Sequence, residues 1–116
     1  MDPIIERFLT QLKQSGVMSR IRSSYLFGSR SRNDWRPDSD YDVLLVVDQK
    51  DAETKSLVYE AVMDILLETG RLVSLKIFTQ AEFDRLRAIP TPFITTVLTE
   101  GVPLGGSDQE SDRRPS

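Results

Sequence analysis

The 116-residue sequence predicts a single α+β domain, in which a small mixed β-sheet carries helices mostly on one face. Helix-like and strand-like segments follow in the order α-β-β-α-β-α-α. No full-length helix separates the first two strands, which argues against a doubly wound parallel sheet. The length allows one hydrophobic core and is too short for two. We expect the domain to span residues 1–104, and the polar residues 105–116 to form a disordered tail.

A capping residue and apolar residues at helical spacing indicate the first helix, and alternating residues indicate the first strand. Asp2 can cap a helix that starts with Pro3 and ends at Gly16. The apolar residues of this helix recur at helical spacing: Ile4, Ile5, Phe8, Leu9 and Leu12. Residues 21–27 alternate as in a strand, with Leu26 on one face. The expected opposite face comprises Ile21, Ser23, Tyr25 and Phe27.

The middle of the chain predicts a loop, a buried strand and a long helix. Residues 30–39 are polar and typical of a loop, whereas residues 41–47 are rich in Val and Leu and predict a buried strand. Asp51 can cap the next helix, and Gly70 can end it. The apolar stripe of this helix comprises Leu57, Val58, Ala61, Val62, Ile65 and Leu66.

The last third of the chain predicts one strand and two short helices. Residues 72–78 form the strand, and Thr79 with Glu82 makes a capping-box pattern for a helix that ends before Pro90. A final helix ends at Gly101. Its apolar residues are Phe93, Ile94, Val97 and Leu98.

The composition excludes several kinds of chemistry. The chain has no cysteine and no histidine, so thiolate metal sites, cysteine nucleophiles and serine–histidine triads are ruled out. No apolar run approaches the ~20 residues that a membrane helix needs. The first residues also lack the pattern of a signal peptide, and we therefore expect a cytoplasmic protein.

The charges are distributed unevenly along the chain. The net charge of −3 argues against a dedicated nucleic-acid binder, but residues 1–36 sum to +4 and residues 37–116 to −7. Several arginines directly precede a run of acids, among them Arg30, Arg32 and Arg36. A basic segment beside an acidic cluster suits a site that holds both a metal ion and a phosphate.

Two aspartates stand at the start of the predicted strand 41–47. Asp40 and Asp42 are two residues apart, and the two-residue period of a strand places both carboxylates on one face. Two like charges this close are unfavourable unless a cation lies between them. Mg²⁺ prefers such hard oxygen ligands and commonly shares them with phosphates.

Gly28 and Ser29 directly follow the first predicted strand. Glycine lets the backbone approach a ligand closely, and backbone N–H groups together with the Ser29 hydroxyl can bind phosphate oxygens. Either motif alone is commonplace. The full pattern is Gly-Ser, a spacer of ten residues, and then Asp-x-Asp. It is expected by chance in roughly one in a thousand chains of this length. The combination indicates metal-assisted transfer of a phosphoryl or nucleotidyl group.

This combination resembles the minimal nucleotidyltransferases of the DNA-polymerase-beta superfamily. The first helix, the segment around Tyr41 and the closing segment from Phe93 to Leu104 are also similar to small prokaryotic members. The resemblance implies a polymerase-beta-like fold and transfer of a nucleoside monophosphate from an NTP to a hydroxyl. Some members are antitoxins that pair with an all-helical toxin ribonuclease of the HEPN family and transfer AMP to it from ATP.

The resemblance also assigns roles to individual residues. Asp40 and Asp42 would be catalytic and would bind the Mg²⁺ carried by the nucleotide. Gly28 and Ser29 would hold its phosphates, assisted by the guanidinium groups of Arg30, Arg32 and Arg36. Many members need a further domain, so a HEPN-type partner or a homodimer is expected for so short a chain.

The third predicted strand departs from the family pattern. The family places a third carboxylate there, whereas this strand offers Ser74 and Lys76 on the corresponding face. Glu68, Glu82 and Asp84 are the acids that could replace it if the fold brings one near. Three readings stay open: a transferase, an antitoxin-like binding module with weak or no activity, and a structural domain in which the aspartates only cap a strand.

Overall fold

A mixed β-sheet forms the centre of the structure. The computed structural model describes residues 2–27, 41–89 and 91–105. Within these residues the elements are α1 (Pro3–Ser15), β1 (Ile21–Phe27), β2 (Tyr41–Val47), α2 (Ala52–Thr69), β3 (Val73–Thr79), α3 (Gln80–Ala88), α4 (Pro92–Glu100) and β4 (Val102–Pro103). A 3₁₀ turn, Val17–Arg20, precedes β1. The predicted order of helices and strands is confirmed, and the turn and β4 are additions to it.

The strands lie in the order β3-β2-β1-β4. β1 is antiparallel to both of its neighbours, whereas β2 and β3 are parallel and are connected by α2. This arrangement confirms the predicted mixed sheet. It also brings the end of β1 beside the start of β2, because Phe27 pairs with Asp42.

Helices cover both faces of the sheet. The two longer helices, α1 and α2, pack on one face around the buried side chains of Ile5, Phe8, Leu12, Val43, Leu45, Val58 and Ile65. The two nine-residue helices, α3 and α4, pack on the other face around Leu44, Val46, Phe83, Ile94 and Val97. The larger share of the helical residues thus lies on the first face.

The first residue of β1 lies on the face opposite to the one predicted. Ile21 is buried with α1 and α2, together with Leu26, whereas Tyr25 and Phe27 pack with α3 and α4. The cause is a shift of register, since Ile21 pairs with Val47 and the next pair is Ser23 with Val46. Arg22 is the extra residue of a β-bulge. It shifts the inward and outward alternation of the side chains, so Ile21 points to the face opposite to Tyr25.

The helix ends are the predicted ones. Asp2 and Asp51 cap α1 and α2 by accepting hydrogen bonds from backbone N–H groups, and Thr79 and Glu82 form both bonds of the capping box of α3. Gly16 ends α1 at φ 85°, a backbone conformation that favours glycine. β3 begins and ends one residue later than predicted, and Thr79 therefore both ends the strand and caps the helix.

Two capping carboxylates have pKa values lowered by their hydrogen bonds. Hydrogen bonds from the Thr54 side chain and backbone lower the pKa of Asp51. The Thr79 backbone N–H and then Lys50 lower the pKa of Glu82. A carboxylate whose pKa is lower in the folded state stabilises the fold above its unfolded pKa, and this contribution is lost as the pH falls through the folded pKa.

We therefore expect the urea midpoint of unfolding to decrease between about pH 5 and about pH 3. The double variant Asp51→Asn/Glu82→Gln keeps the capping acceptors but removes both titrating groups, so its midpoint should decrease less over this range. An equal decrease in the two proteins, measured by circular dichroism, would show that these carboxylates do not cause the acid sensitivity.

The described fold continues to Gly105. β4 pairs with Tyr25 and Leu26, the Leu104 N–H donates to the Ser24 carbonyl (2.9 Å), and the Ser24 hydroxyl donates to the Gly105 carbonyl. Gly105 was expected to begin the tail. The remaining residues of the predicted tail, 106–116, and the predicted loop 30–39 lie outside the described residues. Among the described helices, none is long and apolar enough to cross a membrane.

Candidate active site

Asp42 is the one described residue of the six predicted to form the site. It is half-buried in the second position of β2. The other five lie outside the described residues: Gly28, Ser29, Arg30, Arg32 and Asp40. Arg36 also lies outside them. Their roles therefore stay predictions.

The start of β2 is held firmly in place. Tyr41 is buried, its backbone N–H donates to the Leu72 carbonyl (3.0 Å), and its hydroxyl donates to Oδ2 of Asp2 (2.9 Å). Asp2 also caps α1. These bonds connect the strand start to β3 and to the first helix. They orient Asp42 toward the opposite face, because neighbouring residues of a strand point in opposite directions.

Asp42 lies in a row of residues that crosses three strands. It pairs with Phe27 of β1 on one side and with Ser74 of β3 on the other. Directly opposed side chains on neighbouring strands have Cβ atoms about 5 Å apart. The face that carries this row also carries Leu44, and hence α3 and α4.

The next row on this face contains Lys76. It pairs with Leu44, which in turn pairs with Tyr25. Lys76 is exposed. Ser74 and Lys76 thus lie on one face of β3, as predicted, and the residue directly beside Asp42 on β3 is a serine.

The three acids named as possible replacements are each engaged by other residues of the described structure. Glu68 binds Arg7 at the α1–α2 side of the molecule (3.0 Å). Glu82 is engaged by Lys50 (3.0 Å) and by the Thr79 N–H (2.9 Å), and Asp84 by Arg87 (2.7 Å). Within residues 2–27, 41–89 and 91–105, no three acids gather into a group that could hold a metal ion.

Aromatic side chains surround the Asp42 row. The rings of Phe27 and Phe93 meet edge to face at 5.5 Å, and those of Tyr25 and Phe83 lie 6.1 Å apart at a small interplanar angle. Tyr25 and Tyr41 both pack within the protein. The first helical turn of α4 therefore contacts the strand end that leads to Gly28.

A cleft on the same side of the sheet was not predicted. It has a volume of about 370 Å³ and is mostly apolar. It is lined by Phe78, Glu82, Arg85, Leu86, Ile89 and Thr91. The sequence feature that could have indicated the cleft is the spacing of residues 82, 85, 86 and 89, which places them on one side of a helix. Ile89 is 69% exposed although it is apolar.

Comparison with known proteins identifies the type of domain. Residues 10–110 match the family model described as polymerase beta, nucleotidyltransferase. No protein of curated function matches the chain. The match covers nearly all of the described structure and the whole segment between β1 and β2.

Solved structures share the fold. A toxin–antitoxin with AMP-PNP has a TM-score of 0.57 at 20% identity, over 93% of this chain and 77% of the other. A mutant of the toxin–antitoxin MntA-HpeT has a TM-score of 0.56 at 18% identity, over 93% and 77%. A tri-AMPylated Shewanella oneidensis HEPN toxin in complex with MNT antitoxin gives 0.51 at 19% identity, over 94% and 75%. At these identities the similarity concerns the fold.

Proposed function

The chain belongs to the polymerase beta nucleotidyltransferase family, and on this premise we propose that it transfers AMP from ATP to a hydroxyl group of a partner protein. The observation that carries the proposal is the pairing of Phe27 with Asp42. Gly28 follows Phe27 in the chain, and Asp40 precedes Asp42 by two residues. In the proposal, the phosphate-binding motif and the carboxylate pair hold one nucleotide at this corner of the sheet.

The residues at this corner suit a nucleotide that carries Mg²⁺. Asp42 provides a carboxylate on a strand held by Tyr41, and Ser74 provides a neighbouring hydroxyl; both are hard oxygen donors of the kind Mg²⁺ prefers. We assign Asp40 and Asp42 to the metal ion, Gly28 and Ser29 to the phosphates, and Arg30 and Arg32 to the phosphate charge. Bound Mg²⁺ would supply neutralisation of the charge on the triphosphate.

The proposed reaction is a displacement at the α-phosphorus. The acceptor oxygen forms a bond to this phosphorus, the bond to the bridging oxygen of the pyrophosphate breaks, and the acceptor proton is released to water. The family has a third carboxylate on this strand, whereas β3 offers Ser74 and Lys76 on the face of Asp42 and has no carboxylate to act as a general base. Positioning of the reactants and charge stabilisation carry most of the catalysis in reactions of this class.

Ser74→Asp should accelerate transfer. The new carboxylate would stand directly beside Asp42 and could take the acceptor proton, which is worth on the order of 10²-fold or more. Single-turnover rates of Ser74→Asp and of the control Ser74→Ala measure this effect. A rate for Ser74→Asp no higher than that of Ser74→Ala would place the reacting hydroxyl away from this row.

A HEPN-type toxin is the partner that we propose. The structures with the same fold include a tri-AMPylated HEPN toxin in complex with an MNT antitoxin, which supports both the partner and the transferred group. A second function, docking on such a toxin without chemistry, is favoured by the serine at position 74. In that case Asp40→Ala would leave antitoxin function unchanged.

Labelled ATP separates these two functions. The protein is incubated with Mg²⁺ and with ATP labelled at either the α- or the γ-phosphate, with a cell lysate as the source of acceptors. Nucleotidyl transfer attaches the α-label to a protein and releases the γ-label as pyrophosphate. Labelling from γ-labelled ATP above that of the lysate alone would instead indicate phosphoryl transfer, and no label above this background from either ATP would leave docking without chemistry. Either result would refute the proposed transfer.

A further inference from the structure

The cleft along α3 combines an apolar lining with a positively charged side chain. Phe78, Leu86 and Ile89 provide the apolar part, and Arg85 stands at its wall. Arg85 has no ion pair in the part of the chain that the structure describes, whereas its neighbour Arg87 is paired with Asp84. A cation without a counterion beside an apolar surface suits a ligand that is both apolar and acidic.

Two further features add positive potential at this cleft. Lys76 projects from β3 two residues before Phe78, on the same face, and it too has no ion pair among the described residues. Thr91 caps α4, so the positive end of that helix borders the cleft. The carboxylate of Glu82 is paired with Lys50 and accepts a hydrogen bond from the Thr79 N–H, and both contacts reduce its negative potential at the cleft.

The cleft also lies on the face that carries Asp42. Phe78 is four residues beyond Ser74 along β3, which corresponds to about 13 Å. A ligand in the cleft could thus extend along the sheet toward the Asp42 row. With this distance between the cleft and the Asp42 row, the cleft could hold the residues of an acceptor protein that flank the hydroxyl to be modified.

The polar groups of the cleft are poorly suited to reading a nucleobase. Glu82 is engaged as described, and the Thr91 hydroxyl accepts a hydrogen bond from the Ile94 N–H (3.3 Å). Among the lining side chains, the remaining donors are the Arg85 guanidinium and the Thr91 O–H. Recognition of a base requires several directed hydrogen bonds, whereas a protein segment can be held by apolar contact and charge.

We propose that this cleft binds an acidic segment of the partner protein, with an apolar side chain against Phe78, Leu86 and Ile89 and a carboxylate on Arg85. The inference rests on the proposed function, since it assigns the acceptor side of the same sheet face. It adds a binding surface to the chemistry at Asp42. Binding requires neither nucleotide nor metal, so it can be measured apart from transfer.

The test uses short fluorescent peptides and the full chain. One peptide combines leucines with glutamates, and its control has a lysine in place of every glutamate. Anisotropy should show binding of the acidic peptide only. Ile89→Glu and Arg85→Glu should each weaken binding on the order of tenfold or more.

Two matched variants control for unspecific effects of charge. Leu67 is 78% exposed on α2, on the other side of the sheet, and Lys55 on the same helix is an exposed cation without an ion pair in the described structure. Leu67→Glu and Lys55→Glu should change the affinity by less than about twofold, because neither residue lines the cleft. Equal weakening by Leu67→Glu and Ile89→Glu would overturn the proposal.

The experiment also separates this inference from the proposed function. The variant Asp40→Ala/Asp42→Ala should bind the acidic peptide like the wild type, even though transfer is lost. Displacement of the peptide by ATP would overturn the proposal, because the cleft would then belong to the nucleotide. Peptide binding without any transfer by the wild-type protein would leave the cleft assignment intact and refute the transferase alone.

Discussion

Asp42→Asn should reduce the rate of nucleotidyl transfer on the order of 10²- to 10³-fold, the range seen when one electrostatic contact to a transition state is removed. The substitution keeps the size of the side chain and removes its negative charge. Asp42 is half-buried in β2 between Phe27 and Ser74, and Asn fits the same space. Single-turnover rates with α-labelled ATP measure the loss.

Asp48→Asn is the matched control for this variant. Asp48 follows the other end of β2, six residues or about 20 Å along the strand, and binds Arg22 in an exposed ion pair (3.1 Å). Exposed ion pairs contribute about 0–1 kcal/mol, so the control should stay folded and transfer at nearly the wild-type rate. A similar loss in both variants would mean that Asp42 has no special role.

Leu12→Ala should destabilise the fold by about 2–5 kcal/mol, a large part of the 5–15 kcal/mol typical of a small domain. Leu12 is fully buried in the cluster that α1 and α2 form on the sheet. Removing three side-chain carbons leaves a cavity there. Urea unfolding followed by circular dichroism gives the free energy of unfolding.

Leu67→Ala is the corresponding control on α2. Leu67 is 78% exposed, and the same substitution at this site should change the stability by less than about 0.5 kcal/mol. Both residues lie in helices, so the difference in helix propensity between Leu and Ala cancels. Equal losses in the two variants would show that α1 does not pack on the sheet as described.

Local signals explain why most element boundaries could be predicted. Asp2, Asp51 and Thr79 cap helices through hydrogen bonds that depend on a few neighbouring residues, and Gly16 and Gly70 end helices with positive φ. Such signals are contained in short stretches of sequence.

Features that depend on distant contacts could not be predicted in this way. The bulge at Arg22 moves Ile21 to the other face of the sheet, and β4 consists of two residues that pair with β1 across the molecule. The division of the helices between two faces likewise depends on how α3 and α4 pack on the sheet. Alternation and composition contain no information about these contacts.

The sequence names the candidate site residues but not their neighbours across the sheet. The pattern Asp40-x-Asp42 selects the carboxylates, but the residue opposite Asp42 is set by the register of β3, which places Ser74 there. The cleft is formed by the end of β3 together with one side of α3, so its presence depends on how these two elements pack. The positions of Asp40, Gly28 and Ser29 lie outside the described residues and stay predictions.

Thermal melting with ATP and Mg²⁺ tests the central claim most directly. At ATP concentrations a hundredfold above Kd, binding stabilises the native state by about 2.7 kcal/mol, which corresponds to an increase in Tm on the order of 10 °C for a domain of this size. We expect this increase in the wild type when ATP and Mg²⁺ are both present. The variant Asp40→Ala/Asp42→Ala should show no increase, with or without the two ligands. An unchanged Tm of the wild type up to millimolar ATP would contradict a functional nucleotide site at Asp42.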